Sequence, residues 1–262
     1  MIHSILADKA TRLYLVLGGF FVANALIAEM IGVKLFQLET LLGLAKADFE
    51  LLGQPHLSFV LSVGVLPWPI VFIMTDVIND YYGVRGVRFL TLLTAGLIAF
   101  AFVVLAAAIH IAPAQFWVES GVQQGVPDMQ AAFAAIFGQG MNIILGSVTA
   151  FVIGQFVDAL SFRGIKRLTG DRRIWLRATG STLISQLIDS VVVTYVAFWL
   201  LRDDFSFARC TAMVLTAYAY KFVVALLSTP LVYLAHAGVE RYLGAERAAA
   251  MRAAALRMRD EQ

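Results

Sequence analysis

Polar side chains recur at helical spacing inside apolar stretches of this sequence. Gln186 and Asp189 lie three residues apart in LISQLIDSVVV, and Gln155 and Asp158 repeat that spacing in GQFVD. Residues three or four apart share one face of a helix, so each pair predicts a polar stripe. A carboxylate beside a carboxamide offers both acceptors and donors of hydrogen bonds, which suits recognition of a small polar ring. The spacing therefore favours a binding site for a small molecule.

These polar residues are embedded in a very apolar chain. Its 262 residues are 60% hydrophobic and 15% charged, with a mean hydropathy of +0.79, whereas soluble domains carry about 25% charged residues. The composition predicts a multi-pass protein of the lipid bilayer. A net charge of +2 is too small to indicate a nucleic-acid partner.

Six apolar segments are long enough to cross about 30 Å of hydrocarbon as helices. We therefore predict an all-α integral membrane protein that forms one domain over residues 1–262, with a cytoplasmic helix over 237–262. The segment 37–57 is too charged to span and is predicted to fold at the surface. The predicted spans are about 12–36, 58–82, 87–110, 132–162, 176–201 and 210–236.

Basic residues are distributed unequally between the two sets of connecting segments. Loops with more lysine and arginine stay on the cytoplasmic side, so both termini are predicted to be cytoplasmic, in a bacterial inner membrane. The basic-rich set holds Lys9, Arg12, Arg85, Arg88, Arg163, Lys166, Arg167, Arg172, Arg173, Arg177, Arg241, Arg247, Arg252, Arg257 and Arg259, against Lys46, Arg202 and Arg209 in the other.

Three polar residues are predicted to lie near the middle of the membrane. At about 1.5 Å of rise per residue, Asn24, Asp189 and Lys221 reach similar depths, each on a different helix. A carboxylate at that depth costs ~2.5–3.5 kcal/mol on insertion scales, so it is retained for a partner or a function. Asp189 and Lys221 are predicted to form an ion pair, which could serve the fold alone. A purely structural role is less favoured for the whole set of polar residues. Several buried carboxylates would then share the single lysine Lys221, and some charge would stay unpaired.

Three further polar residues, Asp76, Gln155 and Gln186, are predicted one or more turns closer to the basic loops. Asp158 lies closer still, five residues from Arg163, where capping at the membrane interface is favoured and binding is the alternative. No group of residues has metal-ligand spacing, and no cofactor is predicted. The chain lacks a G-x-x-x-x-G-K-[ST] loop and an H-E-x-x-H motif.

Two classes of function remain open from the residues. An intramembrane aspartyl hydrolase could use Asp76, Asp158 and Asp189. The lysine and the carboxamides suit ligand binding better, so a transporter is favoured over an enzyme.

Several stretches of the chain resemble the queuosine precursor transporter family, a group of vitamin uptake transporters. The resemblance covers all six predicted spans and is most specific around Ser181, Gln186 and Asp189. The segment 37–57 departs from the shorter connection of many members. The matching stretches are ANALIAEMIGVKLF (23–36), TDVINDYYGVRGVR (75–88), GQFVD (154–158), WLRATGSTLISQLIDS (175–190) and YAYKF (218–222).

The resemblance implies import of 7-cyano-7-deazaguanine or 7-aminomethyl-7-deazaguanine for salvage of a tRNA modification. Asp189 or Asp76 could accept the adjacent N–H and amino donors of a guanine-like edge. The ring carbonyl needs a hydrogen-bond donor, which Lys221 or an amide side chain could supply. An aromatic side chain could stack on the ring. The substrate-binding candidates are Asn24, Asp76, Gln155, Asp158, Gln186, Asp189, Tyr218 and Lys221, with Trp68 and Phe222 as further aromatic candidates.

The partners of such a protein differ between two transporter types. A self-sufficient carrier needs only its substrate and the bilayer. The substrate-binding component of an energy-coupling-factor complex would need an ATPase partner, which this sequence does not imply. A homodimer is compatible with either interpretation.

Overall fold

The chain folds into a bundle of long helices. The computed structural model describes residues 7–138, 141–169, 174–200 and 205–257. Short 3-10 helices cover Val63–Val65 and Val122–Gln124, and a π-helix over Tyr195–Leu200 continues the seventh helix. The helices are α1 (Lys9–Ile31), α2 (Leu38–Leu41), α3 (Trp68–His110), α4 (Gln115–Val118), α5 (Met129–Phe137), α6 (Met141–Thr169), α7 (Ile174–Thr194), α8 (Phe207–Leu243) and α9 (Ala245–Arg257).

Apolar side chains lie on the outside of this bundle and polar ones inside. Phe100 and Leu227 are 65% and 72% exposed, whereas Asp80 and Arg177 are fully buried. This distribution suits a surrounding of lipid rather than water. The predicted all-α, multi-pass membrane protein is therefore confirmed. The helices of the described residues that are long and apolar enough to span are Lys9–Ile31, Val63–His110, Leu145–Thr169, Ile174–Leu200 and Phe207–Leu243.

Helix α3 is interrupted at Gly83. Its φ of 71° and ψ of 178° are not helical, and residues with a Cβ rarely adopt such a φ. A Cβ at this position would also lie 3.2 Å from the carbonyl oxygen of Ala255 in α9. The element thus consists of two helical segments, 68–82 and 84–110, that meet at a residue where glycine is required.

The first segment of α3 runs antiparallel to α1. Gly64, just before this segment, lies against Gly32 at the end of α1. At the other end of the segment, the Tyr82 hydroxyl donates a hydrogen bond of 2.6 Å to the carbonyl oxygen of Ala10. Residue numbers therefore rise along the first segment of α3 in the direction in which they fall along α1.

The second segment of α3 runs parallel to α1. The Tyr14 hydroxyl donates to the carbonyl oxygen of Gly86 at 2.9 Å. One turn further along both helices, the side chain of Leu90 lies against Gly18. The chain therefore reverses its direction along α1 at Gly83.

Several predicted spans differ in extent from the helices. The first was predicted to residue 36, but α1 ends at Ile31 and Leu35–Gln37 form a strand. The second span was predicted from residue 58, but Val60–Ser62 form a strand and α3 begins only at Trp68. The fourth, predicted over 132–162, is wrong as a continuous helix. Helix α5 ends at Phe137, where the N–H of Gly138 bonds to the carbonyl oxygen of Ala134, and α6 begins at Met141. Residues 138–140 are Gly-Gln-Gly, a signal for a helix end that the prediction passed over because the flanking stretches are apolar.

The connection between α1 and α3 folds at one end of the bundle, as the charge of segment 37–57 predicted. Glu39 is buried beneath it and accepts hydrogen bonds from the backbone N–H groups of Phe59 at 3.0 Å and Ala47 at 3.3 Å. These bonds, with that from Phe59 the largest cause, lower the pKa of Glu39. Strand β1 (Leu35–Gln37) pairs antiparallel with β4 (Val60–Ser62), and β2 (Phe49–Leu51) pairs with β3 (Gln54–Leu57).

Basic residues gather at the other end of the bundle, where α9 packs. Arg247 forms an ion pair with Asp8, the N-cap of α1. Arg163 near the end of α6 donates to the carbonyl oxygen of Leu256 at 2.9 Å. The start of α1, the break at Gly83 and the end of α6 therefore share this end, which we call the basic end.

The C-terminal helix differs from the predicted one in extent and in surroundings. Residues 237–243 belong to α8, and the left-handed φ of Gly244 (89°) separates them from α9. Ala248 of α9 is fully buried, so α9 packs on the bundle instead of extending into solvent. Residues 258–262 of the predicted helix lie outside the described residues.

Candidate functional site

A cavity of about 650 Å³ lies between α1, the first segment of α3, α6, α7 and α8. Its size is within the range typical of small-molecule sites. Five of the eight candidate residues lie on its wall, namely Asp76, Gln155, Gln186, Asp189 and Lys221. Helical spacing produces this convergence, because Gln186 and Asp189 on α7 share one face.

The ion pair predicted at mid-depth is present on the cavity wall. Lys221 Nζ lies 2.5 Å from Asp189 Oδ2. The side chains are 19% and 25% exposed, respectively, so both retain access to the cavity. The pair leaves Asp189 with acceptor capacity for a ligand, because a carboxylate has about four lone-pair sites.

Two further groups of the wall are buried without hydrogen-bond partners among the described residues. One is an acceptor, Oδ1 of Asp76, and the other is a donor, Nε2 of Gln186. Gln155 differs, because its Oε1 accepts a hydrogen bond of 2.7 Å from the hydroxyl of Thr75. A buried polar group without a partner costs ~1–3 kcal/mol. A ligand that brings a donor to Asp76 and an acceptor to Gln186 would recover that cost.

Glu29 is a further wall residue that is not among the candidates from the sequence. Its side chain is buried and accepts a hydrogen bond of 2.6 Å from the Ser147 hydroxyl. The strand connection covers this end of α1, where Gly64 lies against Gly32. The sequence did not identify Glu29, because the position of a residue along its helix does not show such a cover.

One wall of the cavity is aromatic. The ring of Trp68 lies 5.6 Å from that of Phe151 and 6.1 Å from that of Phe72, between centroids. All three residues line the cavity. Such a surface can stack on a flat ring. Phe222, the other aromatic candidate of this kind, is 40% exposed on the outside of α8.

Three candidate residues do not reach the cavity wall. Asn24 donates to the carbonyl oxygen of Phe20 on its own helix at 2.8 Å. The hydroxyl of Tyr218 donates to the carbonyl oxygen of Leu183 at 3.2 Å. Asp158 is fully buried behind the wall. Its position inside the bundle also rules out the interfacial capping role that the sequence favoured.

A buried charge network lies one helical turn beyond Asp76, toward the basic end. Asp80 forms ion pairs with Lys166 and with Arg177, whose Nη2 lies 2.9 Å from Oδ2. Nε2 of His236 lies 3.2 Å from the same oxygen. The sequence interpretation assigned Lys166 and Arg177 to loops and did not identify this network. The network of Asp80, Lys166, Arg177 and His236 lies on the side of the cavity that faces the basic end.

The site therefore combines carboxylates, one lysine, carboxamides and an aromatic surface. The described residues contain no cluster of three or more His, Cys, Asp or Glu side chains that could hold a metal ion. Asp76, Asp189 and Glu29 can accept hydrogen bonds from a ligand, and Lys221 and Gln186 can donate. A small flat molecule with both donors and acceptors fits this chemistry.

Comparison with known proteins agrees with this class of site. A family model described as putative vitamin uptake transporter matches residues 62–235, more than half of the chain. A probable queuosine precursor transporter of Bacillus subtilis (strain 168) is 31% identical over 181 residues, which are 66% of this chain and 71% of the relative. The chain belongs to the queuosine precursor transporter family.

A second relative from this family is more distant. The queuosine precursor transporter of Escherichia coli (strain K12) is 27% identical over 174 residues, covering 65% of this chain and 70% of the relative. No solved structure matches the chain at a significant level. Family membership and the helices together support a transporter role in a bacterial membrane.

Proposed function

We propose that this protein imports the queuosine precursors 7-cyano-7-deazaguanine and 7-aminomethyl-7-deazaguanine. One observation carries the proposal, namely that the cavity pairs an unpartnered buried acceptor with an unpartnered buried donor beside an aromatic surface. A deazaguanine has adjacent N–H and amino donors, a ring carbonyl and a flat face. The names of the relatives point to the same substrate class.

The proposed binding mode assigns one role to each group of the wall. Asp189 accepts the paired donors of the guanine-like edge, with Asp76 as the second carboxylate that can do so. Gln186, Gln155 and Lys221 supply donors for the ring carbonyl. Trp68 and its aromatic neighbours stack on the ring. Asn24, Tyr218 and Asp158 have no direct contact in this mode, because they lie off the wall.

Ligand binding can be tested by thermal unfolding of the purified protein. A ligand at about 100 times its Kd adds about 2.7 kcal/mol to the free energy of unfolding. We therefore expect both deazaguanines to raise the Tm and unrelated vitamins to leave it unchanged. A clear shift with a vitamin and none with either deazaguanine would contradict the proposed substrate.

A matched pair of amide variants tests the site itself. Gln186→Met removes a donor from the wall, and Asn24→Leu removes an amide that lies off it. A hydrogen bond to a buried partner contributes ~1–3 kcal/mol when that partner would otherwise be left unsatisfied. We expect Gln186→Met to weaken deazaguanine binding about tenfold or more and Asn24→Leu to leave it unchanged. Equal affinities in the two variants would argue against this cavity as the site.

We infer six membrane crossings with both termini in the cytoplasm. The reversal of the chain at Gly83 supports counting Trp68–His110 as two crossings, the first antiparallel and the second parallel to α1. The clustering of basic residues at one end supports a cytoplasmic basic end. The cavity then lies between that end and the outer face.

Cysteine labelling of intact cells tests this orientation. Gln123→Cys in the exposed segment after α4 should react with an impermeant thiol reagent, and Glu246→Cys in α9 should not. The native Cys210 is fully buried and is first replaced by alanine, so that each variant carries one thiol. Labelling of both variants to the same extent, or of Glu246→Cys alone, would overturn the proposed orientation.

Two alternative functions are separated by different observations. An aspartyl hydrolase needs two carboxylates that face the same substrate without a cation bound to either of them, whereas Asp158 lies behind the wall and Asp189 is paired with Lys221. A binding component of an energy-coupling-factor complex would co-purify with an ATPase. Co-purification from the native membrane would favour that alternative over a self-sufficient carrier.

A further inference from the structure

Asp76 and Asp158 lie near each other across the contact between α3 and α6, each 1% exposed or less. Asp76 directly follows Thr75, and Asp158 directly precedes Ala159, and each of these two neighbours is hydrogen-bonded to the opposite helix. Two direct hydrogen bonds hold the helices together beside them. These bonds join Thr75 Oγ1 to Gln155 Oε1 (2.7 Å) and Asn79 Nδ2 to the carbonyl oxygen of Ala159 (2.8 Å).

The side chains of α7 that contact Asp158 are polar and uncharged. Its Oδ1 accepts a hydrogen bond of 3.0 Å from the Ser185 hydroxyl, and the hydroxyls of Ser181 and Thr182 lie beside it on α7. Its Oδ2 has no partner among the described residues, and the same is true of Oδ1 of Asp76. Each carboxylate therefore has an oxygen that could carry a proton.

The nearest cations are engaged by another carboxylate. Arg177 on α7 and Lys166 on α6 both pair with Asp80, and His236 on α8 lies beside the same group. Asp80 itself adds a further negative charge one turn from Asp76. The remaining acidic groups of the cavity have other contacts, with Lys221 for Asp189 and Ser147 for Glu29.

Two carboxylates buried beside the same helix contact cannot both be ionised at an acceptable cost. One proton shared between them removes the repulsion and half of the buried charge, and the pair then titrates as a unit. We propose that Asp76 and Asp158 together bind one exchangeable proton and that this proton is carried with the substrate. This inference rests on the proposed import function.

The position of the pair links the proton to the ligand. Asp76 forms part of the cavity wall, whereas Asp158 lies behind it. Donors of the bound ring favour an ionised Asp76, so the proton moves to Asp158 and stays in the loaded protein. The proton passes from water to a carboxylate oxygen and back to water on the other side, and no other bond is made or broken.

Infrared spectroscopy of the purified protein tests the proton site without any substrate. The difference between the wild-type spectrum and that of Asp158→Asn is expected to contain the C=O band of a protonated carboxylic acid, shifted in heavy water. Absorption from Glu29 cancels in this difference. Asp48→Asn, which removes an exposed carboxylate in the strand connection, should give no such band. Absence of the band in the Asp158→Asn difference would overturn the proton site.

Reconstituted liposomes test the coupling. With the membrane potential clamped at zero, one proton per substrate gives about tenfold accumulation of 7-cyano-7-deazaguanine for each unit of imposed pH difference, alkaline inside. Asp158→Asn should still exchange internal for external substrate but accumulate none, whereas Asp48→Asn should do both.

The remaining outcomes of the liposome experiment distinguish a failure of the proton coupling from a failure of the import function. Exchange by the wild type without any response to the pH difference, or accumulation driven by sodium instead, would overturn the coupling while leaving the import function intact. Normal accumulation by Asp158→Asn would do the same. Failure of the wild type to exchange either deazaguanine would contradict the proposed function, and the infrared difference would then decide the proton site alone.

Discussion

Uptake of a deazaguanine is expected to be lost in the double variant Asp189→Asn/Lys221→Met although its stability is largely restored. Each single variant breaks the ion pair and leaves one charge without its partner. The pair is partly accessible to the cavity. The loss of stability should therefore fall between the ~0–1 kcal/mol of exposed pairs and the ~3–5 kcal/mol of buried ones. Replacing both residues with neutral side chains of similar size removes the uncompensated charge.

Restored stability separates a binding role of Asp189 from a structural one. An amide presents one acceptor oxygen and sets its N–H₂ group against the second donor of the ligand, so paired recognition fails. Glu240→Gln is a suitable control, because it breaks the ion pair with Arg252 near α9, away from the cavity. The measurements are Tm and uptake per folded protein across the cycle. A stable double variant with near-normal uptake would reject the binding role of Asp189.

The features of the site that follow from local helical spacing could be predicted from the sequence. Gln186 and Asp189 both face the cavity because they lie three residues apart on α7. Asp76 faces the cavity from α3. The pairing of Asp189 with Lys221 followed from equal depth on two consecutive helices. The hydrophobic segments likewise predicted most of the long helices.

The features that depend on tertiary contacts could not be predicted in this way. Asp80 and Arg177 are 97 residues apart, and a sequence does not show that they meet. Lys166 near the end of α6 resembles an ordinary loop residue until α9 is seen to pack over that end. Asn24 was predicted from its depth alone but does not line the cavity, because depth does not determine the rotation of a helix.

Replacement of Asp80 with asparagine is expected to cause the largest loss of stability of the variants considered for this protein. The substitution preserves shape but leaves Lys166 and Arg177, which are 3% and 0% exposed, facing a neutral amide. Removing one partner from a buried ion pair costs ~3–5 kcal/mol. For a chain of this size, each kcal/mol lowers the Tm by roughly 2–4 °C. A fall of roughly 6–20 °C is therefore expected, measured by thermal unfolding in detergent.

Asp48→Asn is the matched control, since the ion pair that this carboxylate forms among the described residues is with an exposed histidine, His56. Its Tm should change by less than about 4 °C, because exposed pairs contribute ~0–1 kcal/mol. Arg177→Lys keeps a positive charge beside Asp80 but loses the planar guanidinium, so its Tm should lie between those of Asp80→Asn and the wild type. If Asp80→Asn unfolded at the wild-type temperature, the network would contribute little to stability. The basic end would then have to be held closed by the packing of α9 alone.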